Sequence, residues 1–290
     1  MYDLIGDIHG YATPLKQLLQ VMDYREHDGI WQHPERTAVF LGDFIDRGPE
    51  QLETVRIARR MVEQGAALAV MGNHEFNAIA WATPANDGSP LRAHSAKNLA
   101  QHREFLQQVG EGSPAHRDML DWFRTLPLFL DLPGFRVIHA CWHPRYLEII
   151  DAYTDSMNRV LETAWQELST EGTPAFEALE TLLKGLEVEL PNGIEFADKQ
   201  GIQRRNVRIK WWKLQGITYR DLADLSPEVI ESVPHDPIPQ NILPGYSADK
   251  PLFVGHYWRT GEPAPLNEHI ACLDYSIAAR GLDIKESGKL

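Results

Sequence analysis

The chain has 290 residues, 43% apolar and 24% charged, the balance of an ordinary soluble globular protein with enough apolar mass for a substantial core. Its formal charge of −13 argues against nonspecific duplex binding, which needs lysines and arginines to displace phosphate counterions. It leaves room for a small phosphorylated ligand in a locally positive cleft.

No apolar run approaches the ~20 residues that span a bilayer. The chain opens directly on a strand leading to Asp7, and no cleaved leader is expected. Cys141 and Cys272 are too few for a disulfide framework and read as buried small hydrophobes in a reducing compartment. A cytoplasmic protein without membrane contact is expected.

In chain order, the run Tyr2–Ile5 ends in Gly6-Asp7-Ile8-His9-Gly10. Thr13 and Pro14 then predict an N-cap and first helical position, with Leu15, Leu18, Leu19 and Met22 at helical spacing. The unit recurs. Residues 37–41 form a β-rich run ending in Gly42-Asp43-Phe44-Ile45-Asp46-Arg47-Gly48, and Leu52, Val55, Ala58 and Val62 mark the helix that follows. Residues 66–71 lead to Gly72-Asn73-His74-Glu75 and a third helix. Strands alternating with helices predict an α/β domain whose site lies beyond the strand ends.

Residues 82–98 read as loop. Leu99, His102, Phe105, Leu106 and Val109 suit a helix, and Ser113-Pro114 opens another carrying Met119, Leu120, Trp122 and Phe123. His94, His102 and His116, in this polar stretch, read as solvated surface. Residues 127–131 and 135–139 predict a β-hairpin, with the second half of the chain turning antiparallel. Within 150–206, Val160, Leu161, Ala164, Trp165 and Leu168 suggest one helix, and Thr173-Pro174 caps another with Phe176, Leu179 and Leu183. Residues 188–196 suggest a small hairpin around Pro191-Asn192-Gly193. The proline-rich stretch 226–246 reads as a long surface connection. A last run, 251–254, ends in Gly255-His256.

The loop at Asp43 can hold a cation and an anion together. Asp43 offers hard oxygen ligands able to bridge two cations, and Arg47 offers a planar fork of donors matched to phosphate oxygens. Asp46 is left to orient another group. Alone, such a turn is weak evidence. Its weight comes from the other apolar runs that also end in ligand-type residues, at Asp7, Asn73, His139 and His256.

In order and content these segments, separated along the chain from Asp7 to His256, resemble the calcineurin-like metallophosphoesterases, most closely the branch of Ser/Thr protein phosphatases and bacterial dinucleoside-tetraphosphatases. The resemblance implies an αββα sandwich, two packed mixed β-sheets flanked by helices, with the ligands at one edge. We expect a single domain over 1–290, with 150–206 as a helical cap insertion beside the site.

The resemblance also implies two divalent cations, one held by Asp7, His9 and Asp43 and the other by Asp43, Asn73, His139 and His256. Mixed nitrogen and oxygen ligands without cysteine suit manganese, iron or zinc, and the family favours manganese. By the same resemblance His74 is the general acid, paired with Asp46, and Arg47 grips non-bridging phosphate oxygens. Water, rather than a side chain, is the nucleophile. A second arginine precedes a tryptophan by three positions in this branch, which selects Arg208 before Trp211. The chain departs from the pattern just afterwards, where Trp212 and Lys213 replace a serine and an acidic residue.

The reaction so implied is hydrolysis of a phosphoester or phosphoanhydride. The short motif spacings look more like the bacterial tetraphosphatases than the eukaryotic protein phosphatases, a resemblance that implies a dinucleoside polyphosphate rather than a phosphoprotein or a nucleic-acid end. A noncatalytic scaffold of the same fold is disfavoured because His74, Asp46 and every ligand are retained.

Overall fold

The computed structural model describes residues 1–197, 203–213, 218–246, 249–275 and 277. Strand β1 (Tyr2–Ile5) leads into helix α1 (Ala12–Val21), followed by a small antiparallel pair of β2 (Arg25–His27) and β3 (Ile30–Gln32). Strand β4 (Thr37–Phe40) leads into α2 (Gln51–Glu63), and β5 (Ala67–Ala69) into α3 (Asn73–Ala82). The return of each strand through a helix makes the pairing parallel. β4 lies at the centre of a 3-stranded sheet in the order β1-β4-β5. Thr13 does not cap α1, which starts one residue before it; its amide and hydroxyl instead bind the Glu50 carboxylate at 2.8 and 2.6 Å.

Helices α4 (Ala96–Val109) and α5 (Pro114–Arg124) precede the hairpin of β6 (Phe129–Asp131) and β7 (Arg136–Ile138). Then come α6 (Pro144–Asp151), α7 (Trp165–Leu168) and α8 (Pro174–Lys184). Ser113 and Thr173 cap α5 and α8, accepting from the amides three residues on at 3.0 and 3.1 Å, each ahead of a proline whose missing N–H costs nothing there. The remaining strands are β8 (Glu187–Glu189), β9 (Phe196–Ala197), β10 (Gln203–Arg204), β11 (Asn206–Arg208), β12 (Leu252–Val254) and β13 (Ile270–Cys272).

A 4-stranded sheet runs in the order β13-β12-β7-β6. The expected hairpin is present, and the later pairs β8–β11 and β9–β10 are antiparallel too, but the expectation that the second half turns antiparallel fails in the rest of this sheet. β12 is parallel to both β7 and β13, because long crossovers rather than tight turns join these strands.

Alternation along the strands builds two layers. Val39, Leu41, Val70 and Val137 are fully buried between the sheets, with Leu4, Leu68, Leu130 and Phe253 packed around them. Burial of each such side chain is worth about 1.5–3 kcal/mol of transfer free energy. The alternate residues, Ile5, Phe40 and Ile138 among them, join the larger core beneath the helices. The two-sheet architecture read from the family resemblance is therefore the one observed.

Several local expectations are corrected. His102 and His116 are 0% and 2% exposed, not solvated: His102 falls on the apolar face of α4 with Phe105, Leu106 and Val109, where helical period outweighs the polar neighbourhood. His94 is exposed, although its ring stacks on Trp81 at 3.6 Å. Residues 160–168 form only a 3-10 turn and the single-turn α7. Pro191–Gly193 is a 3-10 turn rather than a hairpin tip: β8 pairs with β11, and β9 with β10. Residues 198–202 of the predicted cap lie outside the described residues. Both cysteines are free and buried as expected, and among the described residues no helix is long and apolar enough to cross a membrane.

Candidate active site

The loops after β1, β4, β5, β7 and β12 converge where the carboxyl ends of the strands meet. Their backbone is unusual there. His9, Asp43, Asp46, Arg47 and His256 all have positive φ, between 49° and 71°, a region that non-glycine residues enter only when their surroundings impose it. Glu75, at the start of α3, supplies one such constraint. Its carboxylate accepts the amides of Asp43 and Phe44 at 2.8 Å and of Gly72 at 3.0 Å, tying the β4 loop to the β5 loop. Gly72 has to lack a side chain, since a Cβ would stand 2.2 Å from Asp43 Oδ1. Gly255 likewise leaves space for Asp7, whose Oδ1 would lie 2.2 Å from a Cβ there.

Asp43 is the centre of the resulting cluster. Its Oδ2 lies 3.4 Å from His139 Nε2, 3.7 Å from His9 Nε2 and 3.8 Å from His74 Nε2, and its Oδ1 accepts the His74 amide at 3.0 Å. Asp7 Oδ2 is 3.9 Å from His9 Nε2, and the Asp7 carboxylate accepts the His256 amide at 3.1 and 3.2 Å. Asn73 Oδ1 lies 3.1 Å from His139 Nε2 and 2.9 Å from His256 Nδ1. All the sequence-predicted ligands, Asp7, His9, Asp43, Asn73, His139 and His256, are thus brought together.

The histidine tautomers test whether cations fit. His9 Nδ1 faces the Ile45 carbonyl at 3.0 Å and His139 Nδ1 faces that of Leu41 at 2.6 Å. A carbonyl only accepts, so both Nδ1 atoms carry hydrogen and both Nε2 atoms point inward. At His139 Nε2 the oxygens of Asp43 and Asn73 call for a positive charge between them, a proton or a metal ion. The Nε2 atoms of His9 and His256 are buried without a hydrogen-bond partner. The His9 Nε2, an orphaned acceptor 3.7 and 3.9 Å from the buried Asp43 and Asp7 carboxylates, is of the kind that binds a metal ion.

The proton affinities agree. Burial opposes a charge on His139, yet the Asp43 and Asp7 carboxylates push it up to about 10. Burial also opposes the Asp43 carboxylate, and the facing His139 and His74 hold it well below the usual range. Asp7 is pushed up by burial and by the charges of Asp274 and Asp43. Burial, then the charge of His74, lowers His9 to about 3, keeping it a neutral ligand. The shifts of Asp7 and His139 record carboxylates crowded together with too little positive charge beside them.

Around this cluster, His74 Nδ1 lies 2.5 Å from Asp46 Oδ2, and His102 Nδ1 lies 2.8 Å from Asp46 Oδ1. Gln51 Oε1 accepts the Asp46 amide at 2.7 Å and Gln51 Nε2 donates to the Gly48 carbonyl at 2.7 Å, fixing the loop from its other side. Burial resists a charge on His74, but Asp43 and Asp46 raise its pKa on balance. Arg47 and Arg208 both face a cleft of about 1370 Å³ that also holds Asp43, Asn73, His74 and His256. Arg208 Nη2 is 3.6 Å from Glu187 Oε1, and its charge, after burial, is what keeps His256 neutral. The cleft wall carries Arg92, Lys97, Arg103 and Arg204 together with Glu104, Glu171, Glu180 and Glu187, and residues Phe176, Lys184 and Phe196 line it from the 150–206 segment.

Sequence reasoning gave no role to Glu75, Gln51, His102 or Asp274. Asp274, 2% exposed, follows the run Ile270–Cys272 and so carried the same signal as the other site residues, an apolar strand ending in a ligand-type side chain.

A model of calcineurin-like phosphoesterases matches residues 2–190. The chain belongs to that family. A Bacillus velezensis asymmetrical bis(5'-nucleosyl)-tetraphosphatase PrpE is 45% identical over 130 residues, 44% of this chain and 50% of that protein. A Vibrio cholerae symmetrical bis(5'-nucleosyl)-tetraphosphatase is 31% identical over 144 residues, 49% of this chain and 45% of that protein. The PrpE enzyme of Oceanobacillus iheyensis is 28% identical over 139 residues, 48% and 54% of the two chains. The chain spans about half the length of the curated relatives it matches. Calcineurin-like phosphoesterases use divalent metals, and the cluster around Asp43 is of the kind that holds them.

Proposed function

We propose that this calcineurin-like phosphoesterase hydrolyses a phosphoanhydride of a dinucleoside polyphosphate, as a bis(5'-nucleosyl)-tetraphosphatase does. The observation that carries the reading is Asp43 Oδ2, within 3.4 to 3.8 Å of the Nε2 atoms of His139, His9 and His74. One carboxylate facing imidazoles from separate strand ends fits a bridge between cations.

Asp7, His9 and Asp43 would hold one divalent cation, and Asp43, Asn73, His139 and His256 the second, with manganese favoured and iron or zinc also suited to these donors. When bound, such a pair polarises the phosphoryl group and activates water. The chain's own residues do the rest. His74, charged through Asp46 and presenting Nε2 toward Asp43, gives its proton to the departing oxygen. Asp46 holds the ring by Nδ1 and balances its charge. Arg47 and Arg208 supply in-plane donors to the non-bridging oxygens as these gain charge.

Substrate size is the second support. The cleft, about 1370 Å³, exceeds what a phosphate monoester fills, and its wall carries Arg92, Lys97, Arg103 and Arg204 beyond the Asp43 cluster, suited to a chain of phosphates. Residues 150–206 act as a cap within a single domain over 1–290, and the protein works in the cytoplasm on a small substrate. Diadenosine tetraphosphate, a phosphoserine peptide and 3'-phosphorylated DNA, compared at saturating manganese, test the reading. The highest kcat/KM is expected for diadenosine tetraphosphate; preference for the phosphopeptide would assign a protein phosphatase instead.

A further inference from the structure

The Arg47 guanidinium lies over the Trp258 ring at the cleft wall, its Cζ 4.1 Å from the centre of the indole. Trp258 follows the ligand-type His256 by two positions, is 41% exposed and has φ +42°. A bulky residue enters that region only where neighbours hold it. Asp274 does so: its Oδ2 accepts the Trp258 amide at 2.9 Å, and its carbonyl accepts the Arg259 amide at 2.8 Å. Tyr257 anchors the same turn, its buried hydroxyl accepting from Trp211 Nε1 at 2.7 Å and donating to the Ala140 carbonyl at 3.1 Å.

We propose that Trp258 is a positioning residue that holds the Arg47 guanidinium by its face and so leaves its in-plane donors free for phosphoryl oxygens. The physical reason lies in the geometry of the guanidinium. A carboxylate partner binds it in the plane, at the same N–H groups that a phosphate needs. An indole covers the face and competes for none of them. Among the described residues Arg47 forms no ion pair with a carboxylate, although the charges of Asp43, Asp274, Asp7 and Asp46 all reach it. Restraint without an in-plane partner is what preorganised oxyanion recognition needs.

The inference rests on the phosphoesterase reading above, and its test separates the two. Trp258→Leu keeps apolar bulk and removes the π face; Trp258→Phe keeps a π face. With manganese and para-nitrophenyl phosphate, Trp258→Leu is expected to raise both KM and the inhibition constant of inorganic phosphate about 2- to 30-fold, the range that a cation–π contact spans from exposed to desolvated. kcat should change less than KM, and Trp258→Phe should recover most of the loss. In an Arg47→Ala background the Trp258→Leu exchange should move neither constant. A readout without turnover is the reaction of Arg47 with phenylglyoxal, followed by peptide mass spectrometry, which should quicken in Trp258→Leu and not in Trp258→Phe. Unchanged constants and unchanged labelling in Trp258→Leu overturn the proposal, as does an equal loss when Arg47 is absent. A wild-type protein without manganese-dependent turnover would fail the phosphoesterase reading instead, and the labelling comparison would still decide the role of Trp258.

Discussion

His102 Nδ1 lies 2.8 Å from Asp46 Oδ1 while His74 Nδ1 holds the other oxygen at 2.5 Å, so one buried carboxylate is clamped between imidazoles from α4 and α3. Both contacts favour the carboxylate form: burial resists it, but the hydrogen bonds from His102 and His74 hold Asp46 well below the usual range. The clamp has a catalytic consequence. Asp46 can orient His74 only if it is itself fixed, and His102 fixes it. His102→Ala should lower kcat about tenfold on an alkyl phosphate and cost about 1–3 kcal/mol of stability by leaving a buried acceptor unpaired. His102→Gln, which keeps a donor, should restore part of both. Thermal melts and paired kinetics would check this, and full activity in His102→Ala would make the His74–Asp46 pair self-sufficient.

Asp43→Asn should abolish metal-dependent turnover while leaving the fold intact. An asparagine keeps the Oδ1 that accepts the His74 amide at 3.0 Å, and Glu75 holds the amides of Asp43 and Phe44 at 2.8 Å. What is lost is the negative charge needed to balance cations on both sides. Metal analysis and circular dichroism, run on the same sample, should show depleted metal and an unchanged spectrum. A variant that retains its metal complement and normal turnover would remove Asp43 from the centre of the site.

Much of this site was legible in the sequence because each ligand stands at a strand end, where an apolar run stops and a glycine or polar residue begins. Asp7, Asp43, Asn73, His139 and His256 were visible on that signal. His102 was not, since nothing local distinguishes a histidine that turns inward to Asp46, 56 positions away, from one that faces solvent. Gln51 was hidden for a similar reason, lying within the helix signal of α2. In the fold, the first three βα units announced themselves by period. The β8–β11 pairing did not, because its partners lie on either side of β9 and β10, and register over such a gap is set by tertiary packing.

Chelation should destabilise the protein. Asp7, Asp43 and Asp274 are 8%, 2% and 2% exposed and crowd one another, so a bound cation relieves repulsion that remains when it is removed. A ligand at 100 times its Kd stabilises by about 2.7 kcal/mol, which at ~2–4 °C per kcal/mol for domains of this order predicts a fall in Tm of about 5–10 °C. Calorimetry with and without EDTA, followed by manganese readdition, would measure it. A Tm indifferent to chelation would separate metal binding from folding.

His74→Asn should be felt mainly when the departing oxygen is basic. A general acid is worth ~10²–10⁴-fold, and para-nitrophenolate needs little of it. Turnover of an alkyl phosphate should therefore fall by at least tenfold more than that of para-nitrophenyl phosphate. Equal losses on both would assign His74 to a different step.

The last prediction concerns the cap. Removing the whole of 150–206 would destroy the core, because Leu179 and Leu182 of α8 are buried and the Leu182 carbonyl accepts the amides of Ala140 and Cys141 at 3.1 and 3.2 Å. Its outer part reaches the core mainly through Phe196, which is 4% exposed, and Ile194. β8 and β11 are antiparallel neighbours, and the Leu190 amide reaches the Arg205 carbonyl at 2.8 Å, so the chain can be closed there. Replacing residues 191–204 by Asn-Gly, the residues a two-residue hairpin turn prefers, would join Leu190 to Arg205 without disturbing that ladder. The replacement deletes Phe196 and Arg204 from the cleft wall and leaves the Asp43 cluster, Arg47 and Arg208 in place. Activity on para-nitrophenyl phosphate should be retained, because that substrate needs only the cluster and its arginines. Activity on diadenosine tetraphosphate should drop by about 10- to 150-fold, the effect of losing one charge-assisted contact worth ~1.5–3 kcal/mol. If the trimmed protein folds and its kcat/KM ratio between the two substrates matches the wild type, this part of the chain takes no part in choosing the substrate.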